Sequence, residues 1–456
     1  MKLKNRWTLR LLVFLIADLF AGTGYATNGY FTHGLGVKDK GMAGAGMASP
    51  SEAIGAAVNP ASALFVDEKW EVGLSIFSPR RSYSSGVSQL NGSSGAFTIG
   101  PSDVDSDSEY FPIPYVAKVW KPNVGSALSL TFYGRGGMNT DYSQGTATLD
   151  PDGPGPGGVV TLDGTFGNGK AGLNLSQAFL ELGYAKKNGP WNLGISGIFA
   201  IQAFEARGLG AFAGLTKTFA ASGGTSMPTN LTNNDHDMTT GFGVKLGLIY
   251  EASDQLNLAW AYQSEIVMGT FDDYADLFAG GGEFNIPASV RVAASYGATT
   301  ELTLHFGYEY TWFSQTGAVG NQIANIFGCP TAGAGGTDID NCLGGSNGAG
   351  FGWQDVPAYK FGVEWELDHE LTLRAGYSYA DQPINPSEML FNILAPGVIE
   401  HHLTIGFSRT LASGSELSAS FMFAPSTSVS GANTFDSTQT IELEMHQFEF
   451  ELGYRF

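Results

Sequence analysis

The chain has 456 residues, a formal net charge of −20, 63 glycines, 12% aromatic residues and only 14% charged residues. Soluble domains have about 25% charged residues, so this composition argues against a solvated two-domain enzyme. The negative charge argues against nucleic acid as a partner. Because no run of about 20 apolar residues follows the first segment, strands of a closed barrel remain as the way to span a membrane.

Residues 1–26 predict a secretory signal peptide. An apolar run at 11–20 follows a basic region, and a site made of small residues ends at Ala26. The basic region comprises Lys2, Lys4, Arg6 and Arg10. The run is too short for the alternative, an uncleaved membrane anchor. We therefore expect an exported chain whose mature form begins at Thr27.

Residues 27–68 do not alternate between apolar and polar positions. They are rich in glycine, alanine and methionine, and a short helix is expected at 51–58. Ser49 or Ser51 is its expected N-cap. This segment therefore differs in kind from the rest of the chain.

From residue 69 to 456, apolar and polar residues alternate with period two, and links of one to three residues alternate with long links. Short turns at one end and long loops at the other are typical of outer-membrane barrels. We predict an all-β fold, a 14-stranded antiparallel transmembrane β-barrel, over 69–456. The long links include 206–237, 269–284 and 426–439. The expected strands are 69–79, 110–121, 123–134, 174–187, 190–205, 238–252, 254–268, 285–298, 301–314, 357–368, 370–382, 399–411, 415–425 and 440–456.

The lumen of a 14-stranded barrel is too wide for the wall side chains to fill. Residues 27–68 are therefore expected to form a hatch, or plug, inside it. The alternative is a disordered periplasmic tail. That alternative is less favoured, because the segment lacks the high charge and low hydrophobicity of disordered tails.

The last strand carries two further expectations. The apolar parity slips at 445–448, which predicts a bulge near His446 or Gln447. The same parity places Glu442 and Glu444 in the lumen.

The run GLGVKDKGMAGAGMASPSEAIGAAVNPASAL resembles the N-terminal hatch of the FadL-type long-chain fatty acid transporter family, whose hatch ends in an Asn-Pro-Ala triplet. Here the triplet is Asn59, Pro60 and Ala61, which we assign to the hatch or its gating. Later stretches resemble the family's strands in the same order: FNIPASVRVAASY, LTLHFGYEYTWFS, YKFGVEWEL, LTLRAGYSYADQPIN and HHLTIGFS. The resemblance implies a monomeric barrel in the outer membrane of a Gram-negative bacterium, with a hatch blocking its lumen.

The resemblance also implies that the ligand leaves sideways through the wall, at an inward kink of the third strand. The corresponding stretch is 132–137, and Gly134 and Gly136 are assigned to the kink. The alternative is that these glycines merely end the strand before a loop. A sideways exit suits an apolar ligand, because each CH2 group exposed to water costs about 0.8 kcal/mol.

The implied ligand is a long-chain fatty acid, which needs a cation for its carboxylate and an apolar cleft for its tail. The candidate cations are Arg291 in the lumen and Arg207 and Lys217 in the third long loop. Apolar stretches of loops 206–237 and 269–284 would offer an exposed patch for first capture. A pocket without a cation would instead favour aromatic or alkane hydrocarbons. A porin or a surface receptor is a more remote alternative.

The expected surroundings of the barrel are outer-membrane lipid and lipopolysaccharide. The barrel assembly machinery is a further expected partner, because an aromatic last residue, Phe456, on an alternating final strand resembles its recognition signal.

Cys329 and Cys342 lie in a Gly-, Asn- and Asp-rich loop, and a disulfide is expected in an exported protein, with free thiols as the alternative. We predict no cofactor, no metal site and no catalytic residue, hence no enzyme. Residues 344–348 match a nucleophile elbow by letter, but in a glycine-rich loop. Alternating acids at 103–109 resemble a calcium loop without its last glutamate, so a solvated acidic loop is favoured.

Overall fold

Fourteen strands of eight or more residues build the wall of a barrel in the computed structural model, which describes residues 28–151 and 158–456. The predicted signal peptide, residues 1–26, lies outside the described residues. In chain order the strands are β1 (Trp70–Ser85), β2 (Phe111–Asn123), β3 (Ser126–Tyr142), β4 (Ala171–Asn188), β5 (Trp191–Arg207), β6 (Asp237–Glu251), β7 (Leu256–Gln263), β8 (Ser289–Gly297), β9 (Leu302–Thr311), β10 (Val356–Glu366), β11 (Leu371–Ala380), β12 (His401–Thr410), β13 (Glu416–Asn433) and β14 (Asp436–Arg455).

The wall closes because the last strand pairs with the first. Each strand pairs antiparallel with the next along the chain, and β14 pairs with β1 from Arg455 opposite Glu71 to Ile441 opposite Ser85. A closed sheet leaves no free strand edge, which is what a lipid environment requires. The predicted 14-stranded antiparallel barrel is confirmed.

Side chains on β4 show how the wall separates lipid from lumen. The outward Leu182 is 65% exposed, whereas the inward Phe179 and Glu181 are buried. Large apolar side chains occupy the outward positions of the other strands as well and form a band around the barrel. Among the described residues, no helix has both the length and the apolar character needed to span a membrane.

The strand links differ between the two ends of the barrel, as predicted. Six links at one end are short and six at the other are long. The expected long link at 426–439 is wrong, because β13 and β14 continue to a two-residue turn at Thr434 and Phe435. This hairpin rises beyond the apolar band, so the outward apolar pattern stops there while the strands go on.

β14 alternates regularly from Gln439 to its end, so the expected bulge near His446 or Gln447 is wrong. The lumenal placement of Glu442 and Glu444 is wrong too, since both are exposed on the outer face and Ile441 is buried inside. The register shift lies instead on β13, between Ala424 and Thr427. In this part of the β13–β14 hairpin the apolar side chains point inward and the polar ones outward. The order is reversed because water surrounds the hairpin outside and loops pack against it inside.

Residues 28–68, the inner segment, lie in the lumen and are mostly buried. They contain an α-helix at Val37–Gly41 and 3-10 helices at Gly46–Ala48, Ala53–Ala57 and Pro60–Leu64. Their lysines pair with wall carboxylates, since buried charges need partners. Lys38 lies 2.6 Å from Glu416, and Lys40 pairs with Glu449 and Glu451.

The described parts of the six long links pack together into a loop cap, formed by 86–110, 143–151, 158–170, 208–236, 264–288, 312–355 and 381–400. The short strands Thr98–Ile99, Thr146–Leu149 and Val160–Asp163 form a separate three-stranded sheet in it. Ser102–Asp105 pairs with β1 and Val267–Met268 pairs with β6. The cap helices are Ser93–Gly95, Gly210–Leu215, Lys217–Ala221, Asp272–Tyr274, Ala279–Gly282, Phe313–Gln315, Gly317–Gly320, Ile323–Gly328, Pro330–Ala332, Ile339–Asn341 and Met389–Asn392.

Candidate functional site

An apolar pocket lies inside the loop cap. It encloses a cavity of about 40 Å³, much smaller than the roughly 300–1,000 Å³ of a usual small-molecule site, so the cap is closely packed around it. Its walls come from four of the long loops and from the ends of β4 and β5, and none of the described residues that line it is charged. The lining residues include Leu173, Leu209, Phe212, Phe278, Phe351 and Leu394. Such a lining suits a hydrocarbon and offers no partner for a charge, and the loops of the cap have to move apart before a long chain fits.

Phe212 is the centre of an aromatic cluster beside this pocket. Its ring lies 5.2 to 6.4 Å, between centroids, from four other rings, three of them in the cap and one in the β13–β14 turn. Those rings are Phe97, Phe166, Phe391 and Phe435. The expected exposed capture patch is therefore wrong for Phe212 and Phe278, because both are buried and face the pocket.

A disulfide joins Cys329 and Cys342 in the loop at 312–355. The next residue, Leu343, lines the pocket and pairs with the loop at 208–236. Its N–H donates to the carbonyl of Leu215 at 3.0 Å, and the Lys217 N–H donates to the Leu343 carbonyl at 2.8 Å. The disulfide therefore restrains a stretch of chain that forms part of the pocket wall.

The wall has a gap between β2 and β3. Their pairing stops at Tyr115 opposite Tyr133, although β2 still pairs with β1 as far as Phe111 and β3 still pairs with β4. Pro112 and Pro114 lie in the unpaired part of β2 and have no N–H to donate to a sheet. The resemblance implied an exit through the wall at 132–137, but sequence reasoning missed the part of β2 in it, although the alternating prolines of FPIPY were a readable signal.

β3 bulges at Arg135, beside the gap. Gly134 and Gly136 pair with consecutive residues of β4, so Arg135 has no partner in that strand. The buried Arg135 guanidinium reaches across the lumen to Glu309 of β9 at 3.0 Å. A Cβ at Gly136 would lie 2.0 Å from Oε1 of Gln177 and 3.2 Å from the Phe31 ring, so a larger residue requires the Gln177 side chain to move. The two glycines assigned to the kink thus flank the bulge.

The start of the inner segment pairs with this bulge. The Thr32 N–H donates to the Arg135 carbonyl at 3.2 Å, and the Gly137 N–H donates to the Tyr30 carbonyl at 3.1 Å. The Arg135 guanidinium lies 4.5 Å from the centroid of the Phe31 ring. The bulge and the inner segment are therefore one packed unit.

A series of aromatic rings connects this unit to the apolar pocket. The Tyr30 ring lies 5.2 Å from that of Phe313 and 6.0 Å from that of Trp353. Trp353 in turn lies 6.3 Å from Phe351, which lines the pocket. A molecule in the pocket can therefore affect the bulge through directly packed side chains.

A groove lies on the barrel surface beside the gap, next to Phe111 at the start of β2. It is lined by the inward-facing Thr140 and Leu173 and by the outward-facing Asn139, Asp141 and Arg207. Leu173 also lines the apolar pocket, so pocket and groove are neighbours. The shared residue places the apolar pocket of the loop cap next to a groove on the barrel surface.

The three cations predicted to bind a carboxylate are all paired within the protein. None of them lines the apolar pocket, and only Arg207 lines the groove. The ion pairs are Arg291 with Glu309, Arg207 with Glu205 at 2.6 Å and Lys217 with Asp340 at 2.7 Å. These residues therefore hold parts of the protein together.

Asn59 fixes the inner segment to the wall. Its amide nitrogen donates to the carbonyls of Leu248 on β6 at 3.1 Å and Trp260 on β7 at 3.3 Å. Its side-chain oxygen accepts the Ala61 N–H at 3.0 Å and caps the short helix that begins at Pro60. The structure places the Asn-Pro-Ala triplet at an anchor point on the wall.

The features considered as rival chemistry lie next in the chain to residues that line the pocket and the groove. Ser346 is in an irregular loop and not on a strand-to-helix turn. Glu109 of the acidic run pairs with Arg80. Across residues 28–151 and 158–456, no group of three or more His, Cys, Asp or Glu side chains is arranged to hold a metal ion.

A closed barrel with a filled lumen, an apolar pocket and a gap in its wall defines an outer-membrane transporter of hydrophobic compounds. The chain belongs to the outer membrane protein transport protein family (OMPP1/FadL/TodX), whose model matches residues 19–445.

Solved structures of similar fold include several transporters. The Pseudomonas putida toluene transporter TodX is 16% identical with a TM-score of 0.62, covering 93% of this chain and 98% of that one. The Ralstonia pickettii toluene transporter TbuX is 14% identical with a TM-score of 0.56, covering 93% and 98%. A Pseudomonas aeruginosa FadL homologue is 14% identical with a TM-score of 0.58, covering 95% and 99%. At these identities the likeness shows a shared fold alone. No curated protein sequence matches the chain.

Proposed function

We propose that this chain imports long-chain fatty acids across the outer membrane. The observation that carries the proposal is the apolar pocket of the loop cap, which meets the groove at the wall gap through Leu173. An apolar pocket replaces water around a hydrocarbon tail, and each CH2 group so buried gains about 0.8 kcal/mol.

The ligand leaves sideways through the gap between β2 and β3. This route keeps the tail out of water, because it passes from the apolar pocket to the lipid around the barrel. The unpaired stretch at Pro112 and Pro114 and the bulge at Arg135 supply the opening without breaking other strand pairs.

The inner segment acts as the hatch. Asn59 holds one part of it to β6 and β7, while Tyr30 and Thr32 pair with the bulge. A ligand pressing on Phe351 would displace the rings next to it and so shift the start of the inner segment. That shift widens the path to the gap while the anchored part keeps the lumen closed to water.

Neutral aromatic or alkane hydrocarbons are the second candidate. The observation favouring them is that, in the part of the chain that the structure describes, no charged side chain lines the apolar pocket. Two proteins of similar fold are described as toluene transporters, which agrees with such a substrate without testing it here.

The test is uptake of labelled oleate by cells that lack their own fatty acid transporter and express this chain. Labelled toluene and hexadecane are measured beside it, and outer-membrane insertion is checked by the change of gel mobility on heating. Saturable oleate uptake is the expected result. An inserted barrel that takes up only the neutral compounds would overturn the fatty acid assignment in favour of the second candidate.

A further inference from the structure

Two adjacent arginines on β1 have opposite environments. Arg80 faces outward, pairs with Glu109 and donates to the Tyr110 hydroxyl at 2.7 Å. Arg81 faces the lumen and is only 4% exposed. The first is an ordinary surface ion pair, whereas the second is a buried charge whose partners need to be identified.

The buried guanidinium of Arg81 has no carboxylate partner among the described residues. Its Nη1 donates to the carbonyl of Ser108 at 3.3 Å, and its Nη2 has no hydrogen-bond partner. The Phe111 ring lies 5.6 Å away. The hydroxyl of the neighbouring Tyr142 is also fully buried and has no partner. Burying an arginine without an anionic partner costs free energy. In the lumenal cluster at Glu309, by contrast, each cation is paired with the carboxylate.

The position of Arg81 connects it to the transport path. Phe111, below its guanidinium, lines the groove at the gap. Tyr142 faces the lumen on β3, two residues beyond Thr140, whose hydroxyl donates to the Leu394 carbonyl at 2.8 Å. Leu394 lines the apolar pocket. Arg81 therefore lies where the pocket and the groove approach each other.

We propose that Arg81, assisted by the Tyr142 hydroxyl, binds the carboxylate of an amphiphilic ligand whose hydrocarbon chain lies in the apolar pocket. Arginine suits this role because its planar guanidinium donates charge-assisted hydrogen bonds to a carboxylate. The proposal rests on the proposed transport function and names its substrate class, long-chain carboxylates. It also explains how an uncharged pocket can serve an anionic ligand, because the head group binds beside the pocket and not in it.

The experiment compares Arg81→Met with the matched control Arg80→Met, each measured with labelled oleate and with labelled methyl oleate, which lacks the charge. We expect Arg81→Met to raise the half-saturating oleate concentration about tenfold and to leave methyl oleate uptake unchanged. Arg80→Met should change neither. Tyr142→Phe, which removes only a hydroxyl, should cause a smaller loss confined to oleate.

The possible failures can be told apart. If the unaltered, inserted chain takes up neither compound, the proposed function itself fails. If the unaltered chain takes up both and Arg81→Met reduces both equally, Arg81 has a structural role and the carboxylate site is wrong. Unchanged oleate uptake in Arg81→Met also overturns the site. If Arg81→Met does not insert, Tyr142→Phe decides, and equal loss of both compounds in it contradicts the proposal.

Discussion

Arg135 and Glu309 lie 3.0 Å apart across the lumen, although one is at the bulge of β3 and the other is on β9. Glu309 also pairs with Arg291 of β8 and with Lys360 of β10, the latter at 2.7 Å. One buried carboxylate thus holds three cations and ties the gap side of the wall to the far side.

Replacing Glu309 by glutamine should destabilise the barrel strongly, because it leaves three buried cations without their shared anion. We expect a loss of about 3–5 kcal/mol in the free energy of unfolding, measured by urea titration in detergent. Arg135→Met removes only one of the three cations and should cost less. The control is Arg409→Met, which breaks the exposed pair with Glu370 and should change nothing measurable. Equal stability of E309Q and the unaltered protein would contradict this account of the cluster.

Gly136→Ala should impair transport while the barrel still inserts. The added methyl group would crowd Gln177 and lie 3.2 Å from the Phe31 ring, so it pushes the inner segment off the bulge. We expect a clear drop in oleate uptake with normal heat-modified gel mobility. Gly197→Ala on β5 is the matched control, since nothing lies within 4 Å of its new methyl group. Similar uptake by the two variants would show that the bulge does not need this packing.

Restoring hydrogen-bond donors to β2 should narrow the gap. The double substitution Pro112→Ala and Pro114→Ala supplies two N–H groups to the stretch that does not pair with β3. We expect slower oleate uptake with unchanged ligand binding by purified protein, because only the exit is affected. Pro357→Ala is the control, because Pro357 pairs with Tyr310 of β9 and its carbonyl accepts the Asp381 N–H at 3.2 Å, so no gap adjoins it. Unchanged uptake in the double variant would argue against an exit at this gap.

Loss of the disulfide should weaken ligand binding without weakening the wall. Closing a loop of this length contributes about 3 kcal/mol in chain-entropy terms, here local to the loop cap. In the double variant Cys329→Ser and Cys342→Ser, we expect faster hydrogen exchange around Leu343 and weaker oleate binding. Treating the unaltered protein with reductant should reproduce the effect, and the reductant should have no effect on the variant. A large fall in thermal stability of the whole barrel would contradict a local role.

Asn59→Ala should make the barrel leak. It removes both hydrogen bonds to the wall and the helix cap, a loss of about 1–3 kcal/mol for a buried polar anchor. We expect higher single-channel conductance in planar bilayers, because the inner segment closes the lumen less firmly. Ser62→Ala is the control nearby, since the Ser62 hydroxyl is buried but has no hydrogen-bond partner. If Ser62→Ala leaked as much, the effect would not be specific to the anchor.

The barrel itself could be predicted from sequence because its physics is periodic. Outward side chains such as Leu182 face lipid and have to be apolar, whereas inward side chains such as Glu181 can be polar. Apolar and polar residues therefore alternate along each strand, which makes the strands recognisable in the sequence. The same logic failed for Glu442 and Glu444, because it assumes that lipid covers the full height of the wall. Above the lipid the outer face meets water, and the apolar side of the strand is reversed.

The candidate site was harder to predict because it depends on contacts between distant segments. The glycines around Arg135 pointed to the kink, but the partner of Arg135 is 174 residues away. The apolar alternation placed Arg291 in the lumen, where it could bind a carboxylate ligand. Only the structure shows that Arg291 is already paired with Glu309. Arg81 was missed because the sequence does not show that a buried arginine lacks a carboxylate partner. That absence becomes visible only once its neighbours in the structure are known.

The aromatic cluster around Phe212 also determines how fast a ligand can reach the pocket. Rings from separate loops meet there, so no single loop can swing aside without disrupting its neighbours. Admission is then a concerted event with a steep dependence on temperature. At low temperature and low ligand concentration, uptake would be limited by how often the rings around Phe212 move apart. The affinity of the pocket for its ligand would then have little effect on the rate.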